Sequence, residues 1–203
     1  MKLDLVHDTQ LAYRKLMDSM SRPGLISELG ELAGKVGLKL NCFDATVLLA
    51  AVLLDTEVTF KIISEKEEEI VRLFNQLTYA KAAETAAADF IFVLNDANSF
   101  QLEEAIRKAK AGDLIHPHAS ATFIVEAEQI TNDNGLVLSG PGIEDTHHVQ
   151  VSTCGSESRG SWLDERALRN IEYPLGVDMI FVDRDSRTLC LPRTTQISKK
   201  VNN

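Results

Sequence analysis

Residues 90–94, Phe-Ile-Phe-Val-Leu, are five consecutive apolar side chains between polar flanks. A run this short, bounded in this way, reads as an interior strand buried on both faces. Successive strand side chains point to opposite sides, so both faces of its sheet need cover. Helical patterns lie on either side of the run. Tyr13, Leu16, Met17 and Met20 recur at one-face spacing after Asp8 as cap, and Ser21-Arg22-Pro23-Gly24 stops that helix abruptly. Asn41 is placed to cap a second helix carrying Phe43, Val47, Leu48, Ala51 and Leu54, with Asp55 at its end. Residues 56–62 alternate Val58, Phe60 and Ile62 with polar neighbours as a half-buried strand. Ser64 to Glu67 then reads as a capping box for a helix with Ile70, Phe74 and Leu77, and Leu102, Ala105, Ile106 and Ala109 mark another helix.

After Gly112 the texture changes, with strand-like runs at 121–125, 136–138, 149–151, 179–182 and 188–191. Ser161-Trp162-Leu163-Asp164 predicts a capped helix with Trp162, Ala167, Leu168 and Ile171, crossing between strands. The expectation is one α/β domain over residues 1–203, helix-rich in 1–110 and sheet-rich in 111–195, built on one mixed β-sheet covered by helices.

Composition narrows the function. A chain of 203 residues with 44% hydrophobic and 25% charged content buries a core without a disulfide or metal staple. Cys42, Cys154 and Cys190 are odd in number and lack C-x-x-C spacing, which argues against a disulfide framework or zinc site and fits a reducing cytoplasm. The first ten residues lack a secretory apolar core, and the longest largely apolar run, 45–54, is too short to span a bilayer. A net charge of −9 disfavours duplex nucleic acid and anionic membranes as partners, while small anions stay open. Between residues 111 and 198 there is no lysine, yet Arg159, Arg166, Arg169, Arg184, Arg187 and Arg193 fall there.

Four segments carry candidate chemistry. Gly140-Pro141-Gly142 follows a strand-like run, and is either an anion-facing nest or a structural turn that needs glycine. Leu191-Pro192-Arg193-Thr194-Thr195 presents an arginine and two hydroxyls at a sheet margin, a group that suits a tetrahedral oxyanion, although a solvated arginine also explains it. Arg22 at the helix stop is either a ligand group or part of a cap. His116, His118, His147 and His148 lack supporting carboxylate or cysteine spacing, so no metal is expected. No G-x-S-x-G elbow or thiol-enzyme signature is present, and the acidic runs 65–69 and 103–104 read as solvated helix faces.

The ordered set His7-Asp8-Thr9-Gln10, Tyr13-Arg14, Met20-Ser21-Arg22-Pro23-Gly24, Leu54-Asp55, Ser120-Ala121-Thr122, Gly140-Pro141-Gly142-Ile143, Pro174-Leu175-Gly176-Val177-Asp178 and Leu191-Pro192-Arg193-Thr194-Thr195 resembles the PhnH family of the bacterial carbon–phosphorus lyase system. That resemblance implies a homodimeric subunit working with PhnG, PhnI and PhnJ. The complex couples an alkylphosphonate to the ribose C1 of ATP with loss of adenine, a step centred on PhnI and only assisted by PhnH. It implies a fold similar to the large domain of pyridoxal-phosphate-dependent transferases, without the cofactor. The lysine gap agrees, since a Schiff-base lysine is needed near the sheet. At His118 the chain departs from the carboxylate frequent in the family.

Arg14, Arg22, Gly140, Pro141, Gly142, Asp178, Arg193, Thr194 and Thr195 are therefore the candidate residues for binding a phosphonate or nucleotide anion, or a partner subunit, with no catalytic residue and no metal assigned. A stand-alone enzyme acting on a phosphorylated small molecule, and a purely structural assembly module, are the alternative readings.

Overall fold

The computed structural model describes residues 2–38, 41–153 and 162–199. The elements run α1 (His7–Ser21), β1 (Ile26–Glu28), α2 (Gly30–Ala33), α3 (Asp44–Leu53), β2 (Thr59–Ile63), α4 (Glu67–Thr78), β3 (Lys81–Ala82), β4 (Phe90–Val93) and α5 (Ser99–Lys108). They continue as β5 (Thr122–Glu126), β6 (Gln129–Ser139), β7 (His147–Ser152), α6 (Trp162–Arg169), β8 (Asp178–Val182), β9 (Arg187–Leu191) and β10 (Gln196–Lys199).

A seven-stranded sheet in the order β1-β9-β8-β5-β4-β2-β3 forms the middle layer. Strands β2, β3, β4, β5 and β8 are parallel, β9 runs antiparallel to β8, and β1 antiparallel to β9. The expected interior strand, β4, lies inside it between β5 and β2. Phe92 of β4 packs in one core with Leu16 of α1, Leu48 of α3 and Phe74 of α4. Ile91 and Val93 pack on the other side, with Leu102 and Ile106 of α5 and Trp162 of α6. Alternation along one strand thus supplies both cores, as a doubly covered sheet requires.

The expectation of one sheet needs correction. Strands β10, β6 and β7 form a separate three-stranded antiparallel sheet, and its Ile130, Leu136, Leu138 and Val149 enter the second core. The runs 136–138 and 149–151 were assignable as strands from pattern alone, but pairing partners are long-range and periodicity does not encode them. Strands β1, β3 and β10 are short or flanked by polar residues and escaped the pattern.

Helix faces and caps also differ from expectation. In α1 the buried stripe is Asp8, Ala12, Leu16 and Ser19, whereas Tyr13 and Met17 are exposed. Asp8 lies within the first turn and pairs with Lys35 at 2.8 Å instead of capping. Asp4 takes the capping role, accepting from the Val6 and His7 N–H groups at 2.8 and 3.0 Å. Ser64 makes no capping box, because its hydroxyl donates to Asp96 at 2.7 Å. Among the described residues a capping box forms at α5, between Asn98 and Gln101. On α6, Trp162 and Arg166 are buried while Ala167 and Leu168 face outward, and Ile171 lies exposed beyond the helix end. The predicted cap Ser161, with Cys154 and Arg159, lies outside the described residues. No helix among the described residues is long and apolar enough to cross a membrane.

Candidate functional site

Three segments far apart in sequence meet in one corner. Gly142 sits at φ +84 so close to Ser21 that a Cβ would collide with the Ser21 carbonyl and come within 2.9 Å of Pro23 Cδ. Gly140, at φ +127, leaves room for a Cβ only 2.9 Å from the Thr194 carbonyl. Gly24, at φ +97, packs against the His147 side chain. The helix stop 21–24, the turn 140–142 and the segment 191–195 are thus one packed unit, and these glycines are required by both φ and space.

Gly142→Ala should therefore destabilise the protein by about 2–3 kcal/mol, since left-handed strain and a backbone collision add. Denaturant unfolding checks this, and a loss under 1 kcal/mol would show that the turn relaxes freely.

At the amino end of β8, Asp178 holds Arg193 from two sides. Its Oδ1 accepts the Arg193 backbone N–H at 2.7 Å and Nε at 3.3 Å, and its Oδ2 accepts from Nη2. The remaining guanidinium nitrogen, Nη1, donates to the Pro117 carbonyl at 2.7 Å. The 116–118 loop is thereby drawn to the site, with the His116 and His118 rings 5.9 Å apart, edge to face. With each of its three nitrogens engaged, Arg193 anchors a loop to the sheet, and two of its five N–H donors remain for a diffusing oxyanion.

The other candidates divide around this corner. Thr194 is half-buried, and Thr195 is buried with no partner for its hydroxyl among the described residues. The Thr195 carbonyl accepts from Arg166 Nη1 at 3.1 Å, and the Pro192 carbonyl from Arg166 Nη2 at 2.7 Å. Burial pushes the Arg166 pKa down to about 10, with Asp178 acting in the opposite sense. Pattern reading did not single out Arg166 as a site residue; its place one turn after Trp162 on an amphipathic helix was the available signal. Arg22 pairs with Asp18 one turn earlier in α1. Pro141 is exposed at the turn, and Arg14 is exposed on α1, outside the contacts that tie the corner together.

The opposite end of the sheet holds a second polar centre. Glu126, buried at the carboxyl end of β5, accepts the Phe43 N–H and the Thr46 hydroxyl on Oε1, both at 2.6 Å. Its Oε2 accepts the Asn95 backbone N–H at 3.0 Å and side-chain amide at 2.7 Å. A carboxylate from β5 thus occupies the start of α3, the role expected of Asn41. Burial pushes the Glu126 carboxyl up, against these four bonds, which pull it down. A lone glutamate closing the apolar run Phe123-Ile124-Val125 was the sequence signal for it.

Above Glu126 opens a crevice of about 490 Å³ lined by Asn41, Cys42, Phe43, Glu65, Lys66, Asn95, Asp96 and Arg184. A larger trough of about 1210 Å³, about as open as the crevice and sharing Glu65 and Lys66 with it, follows the solvated charges of α4, including Glu67, Glu68, Glu69 and Arg72. The Cys42 thiol is pushed up to about 12 by burial and by nearby carboxylates, so it is unreactive at neutral pH. No group of three or more potential metal ligands occurs among the described residues.

Comparison with known proteins supplies the wider context. The family model described as bacterial phosphonate metabolism protein (PhnH) matches residues 3–198. A protein of Stutzerimonas stutzeri named as C-P lyase subunit protein HtxG is 30% identical over 193 residues, covering 94% of this chain and 86% of its own. The alpha-D-ribose 1-methylphosphonate 5-triphosphate synthase subunit PhnH of Rhizobium meliloti (strain 1021) is 26% identical over 207 residues, covering 97% of this chain and 94% of its own.

Proposed function

The chain belongs to the PhnH family of bacterial phosphonate metabolism proteins, and from that premise we propose that it is a subunit of a carbon–phosphorus lyase system. In this reading it assists the transfer of alkylphosphonate to the ribose C1 of ATP with release of adenine. The observation that carries it is the near full-length similarity to two proteins, one named as a C-P lyase subunit and the other as an alpha-D-ribose 1-methylphosphonate 5-triphosphate synthase subunit. The role is accessory, the chain acting as one cytoplasmic domain within a homodimer that docks PhnG, PhnI and PhnJ. The fold is read as that of the pyridoxal-phosphate transferase large domain without its cofactor; a seven-stranded sheet with one reversed strand and a lysine-free stretch over 111–198 support this.

Docking has a physical basis at one end of the sheet. The loops around residues 111 and 176 are tied by the Gly176 N–H donating to the Ala111 carbonyl at 3.0 Å. Around them Leu114, Ile115, Ile171 and Tyr173 are 68–82% exposed, and large apolar groups crowded at one end of a molecule mark an interaction surface. The engagement of Arg193 by Asp178 favours a second reading, in which the 191–195 segment serves assembly alone.

Deleting the coding gene should abolish growth on methylphosphonate as sole phosphorus source, while growth on inorganic phosphate continues. Ile115→Glu with Tyr173→Glu should lose co-purification of the other subunits. Undiminished growth of the deletion strain on methylphosphonate would refute the subunit role.

A further inference from the structure

The crevice above Glu126 lies where the chain reverses its direction of winding. From β2 the chain passes through α4 to β3 at one side, with α4 on the core face of Phe60 and Phe92. From β4 it passes through α5 to β5 at the other side, with α5 on the opposite face. The loops leaving β2 and β4 therefore part between neighbouring strands and leave a gap at their carboxyl ends, the place where open α/β sheets bind ligands.

The two loops are stitched across that gap. Asp96 Oδ2 accepts the Ser64 hydroxyl at 2.7 Å and the Glu65 N–H at 3.1 Å, while Ser64 Oγ accepts the Lys66 N–H at 3.0 Å. Asn95 is fixed from below by Glu126. The floor is thus held rigidly, and about 490 Å³ falls within the range of small-molecule sites. Two basic side chains reach this rim, Lys66 and Arg184, and neither has an ion-pair partner among the described residues. Arg193, Arg22 and Arg107 are each already paired with a carboxylate. The rim also carries Glu65 and Asp96; Asp96 Oδ2 is taken up by the loop contacts, while its buried Oδ1 has no hydrogen-bond partner among the described residues.

We propose that this crevice, rather than the Arg193 corner, is the site that takes a small ligand through a tetrahedral phosphonyl or phosphoryl oxyanion, with Lys66 and Arg184 as its charged contacts. Guanidinium and ammonium groups not already neutralised make the strong bonds to such oxygens. Asn41 and the Asn95 side-chain carbonyl remain to meet the polar remainder of the ligand, and Phe43 flanks it. The choice of probe rests on the phosphonate reading above.

The test is an NMR titration of the full-length chain with methylphosphonate and, separately, inorganic phosphate. Saturable amide shifts are expected at residues 41–43, 64–66, 95–96 and 184, and the tighter of the two ligands identifies the source of the oxyanion. Lys66→Gln and Arg184→Gln, both at exposed positions, should each weaken binding about tenfold, the effect of losing one charge-assisted bond. Absence of saturation with both ligands, shifts centred on residues 140–142 and 193–195, or unchanged affinity in the double variant would each overturn the proposal. Because growth and co-purification test the subunit role independently, its failure would leave that role standing.

Discussion

Glu126→Ala is expected to lower the unfolding free energy by about 4 kcal/mol, because it strands one buried and three partly buried donors at once. The Phe43 N–H, the Thr46 hydroxyl and both nitrogens of Asn95 point at this one carboxylate. Each buried donor left without an acceptor costs about 1–3 kcal/mol, with some relief from relaxation. The loss should appear as a lower denaturant midpoint at unchanged slope, with faster hydrogen exchange at Phe43 and Asn95. Glu126→Gln should cost roughly half as much, since one oxygen remains to accept. Burial raises the folded-state carboxyl above its ordinary value of 4.5. The folded chain then holds the proton more tightly than the unfolded chain, so its margin over Glu126→Ala is fullest below 4.5. That margin narrows as pH rises through the folded-state pKa. A midpoint within experimental scatter of wild type would show that water or repacking satisfies these donors.

Arg193→Ala should destabilise the chain by about 3 kcal/mol, because it breaks a largely buried bidentate pair and leaves the Asp178 carboxylate without its partner. It also releases the Pro117 carbonyl, so the 112–118 loop should lose protection against exchange. Arg193→Lys should recover only part of the loss, since an ammonium cannot reproduce the fork that spans Asp178 and Pro117. The same variant separates two roles for the conspicuous Leu-Pro-Arg-Thr-Thr segment. An anchor predicts loss of stability with ligand affinity retained in the folded fraction. An oxyanion clamp predicts the reverse, and a stable Arg193→Ala that no longer binds methylphosphonate would overturn the anchor assignment.

How much of this was legible in advance depended on the range of the interaction concerned. Helices α4 and α5 and the interior strand β4 follow from periodicity, because Ile70 with Phe74, Leu102 with Ile106, and the run 90–93 each report their own burial. The exposed face of α1 departs from the apolar pattern, because Tyr13 and Met17 are apolar but lie off the stripe made by Ala12, Leu16 and Ser19. Hydrophobicity ranks a residue's preference for burial and does not enforce it.

Of the candidate site, the ordered motifs were readable as a family signature, but their joint purpose was not. The reason that Gly142 must be glycine is a carbonyl at residue 21, and the reason that Arg193 is engaged is a carboxylate at residue 178. Glu126 governs a helix start 83 residues earlier, at Phe43. The sequence by itself determined the class of fold, the apolar runs for both cores and family membership, since these rest on local pattern and on ordered motifs. Only the tertiary structure decided the division into two sheets, the switch crevice at β2 and β4, and which arginines are spoken for. Those depend on which distant groups meet, and hydrogen bonding and ion pairing act over a few ångströms of space whatever the separation along the chain.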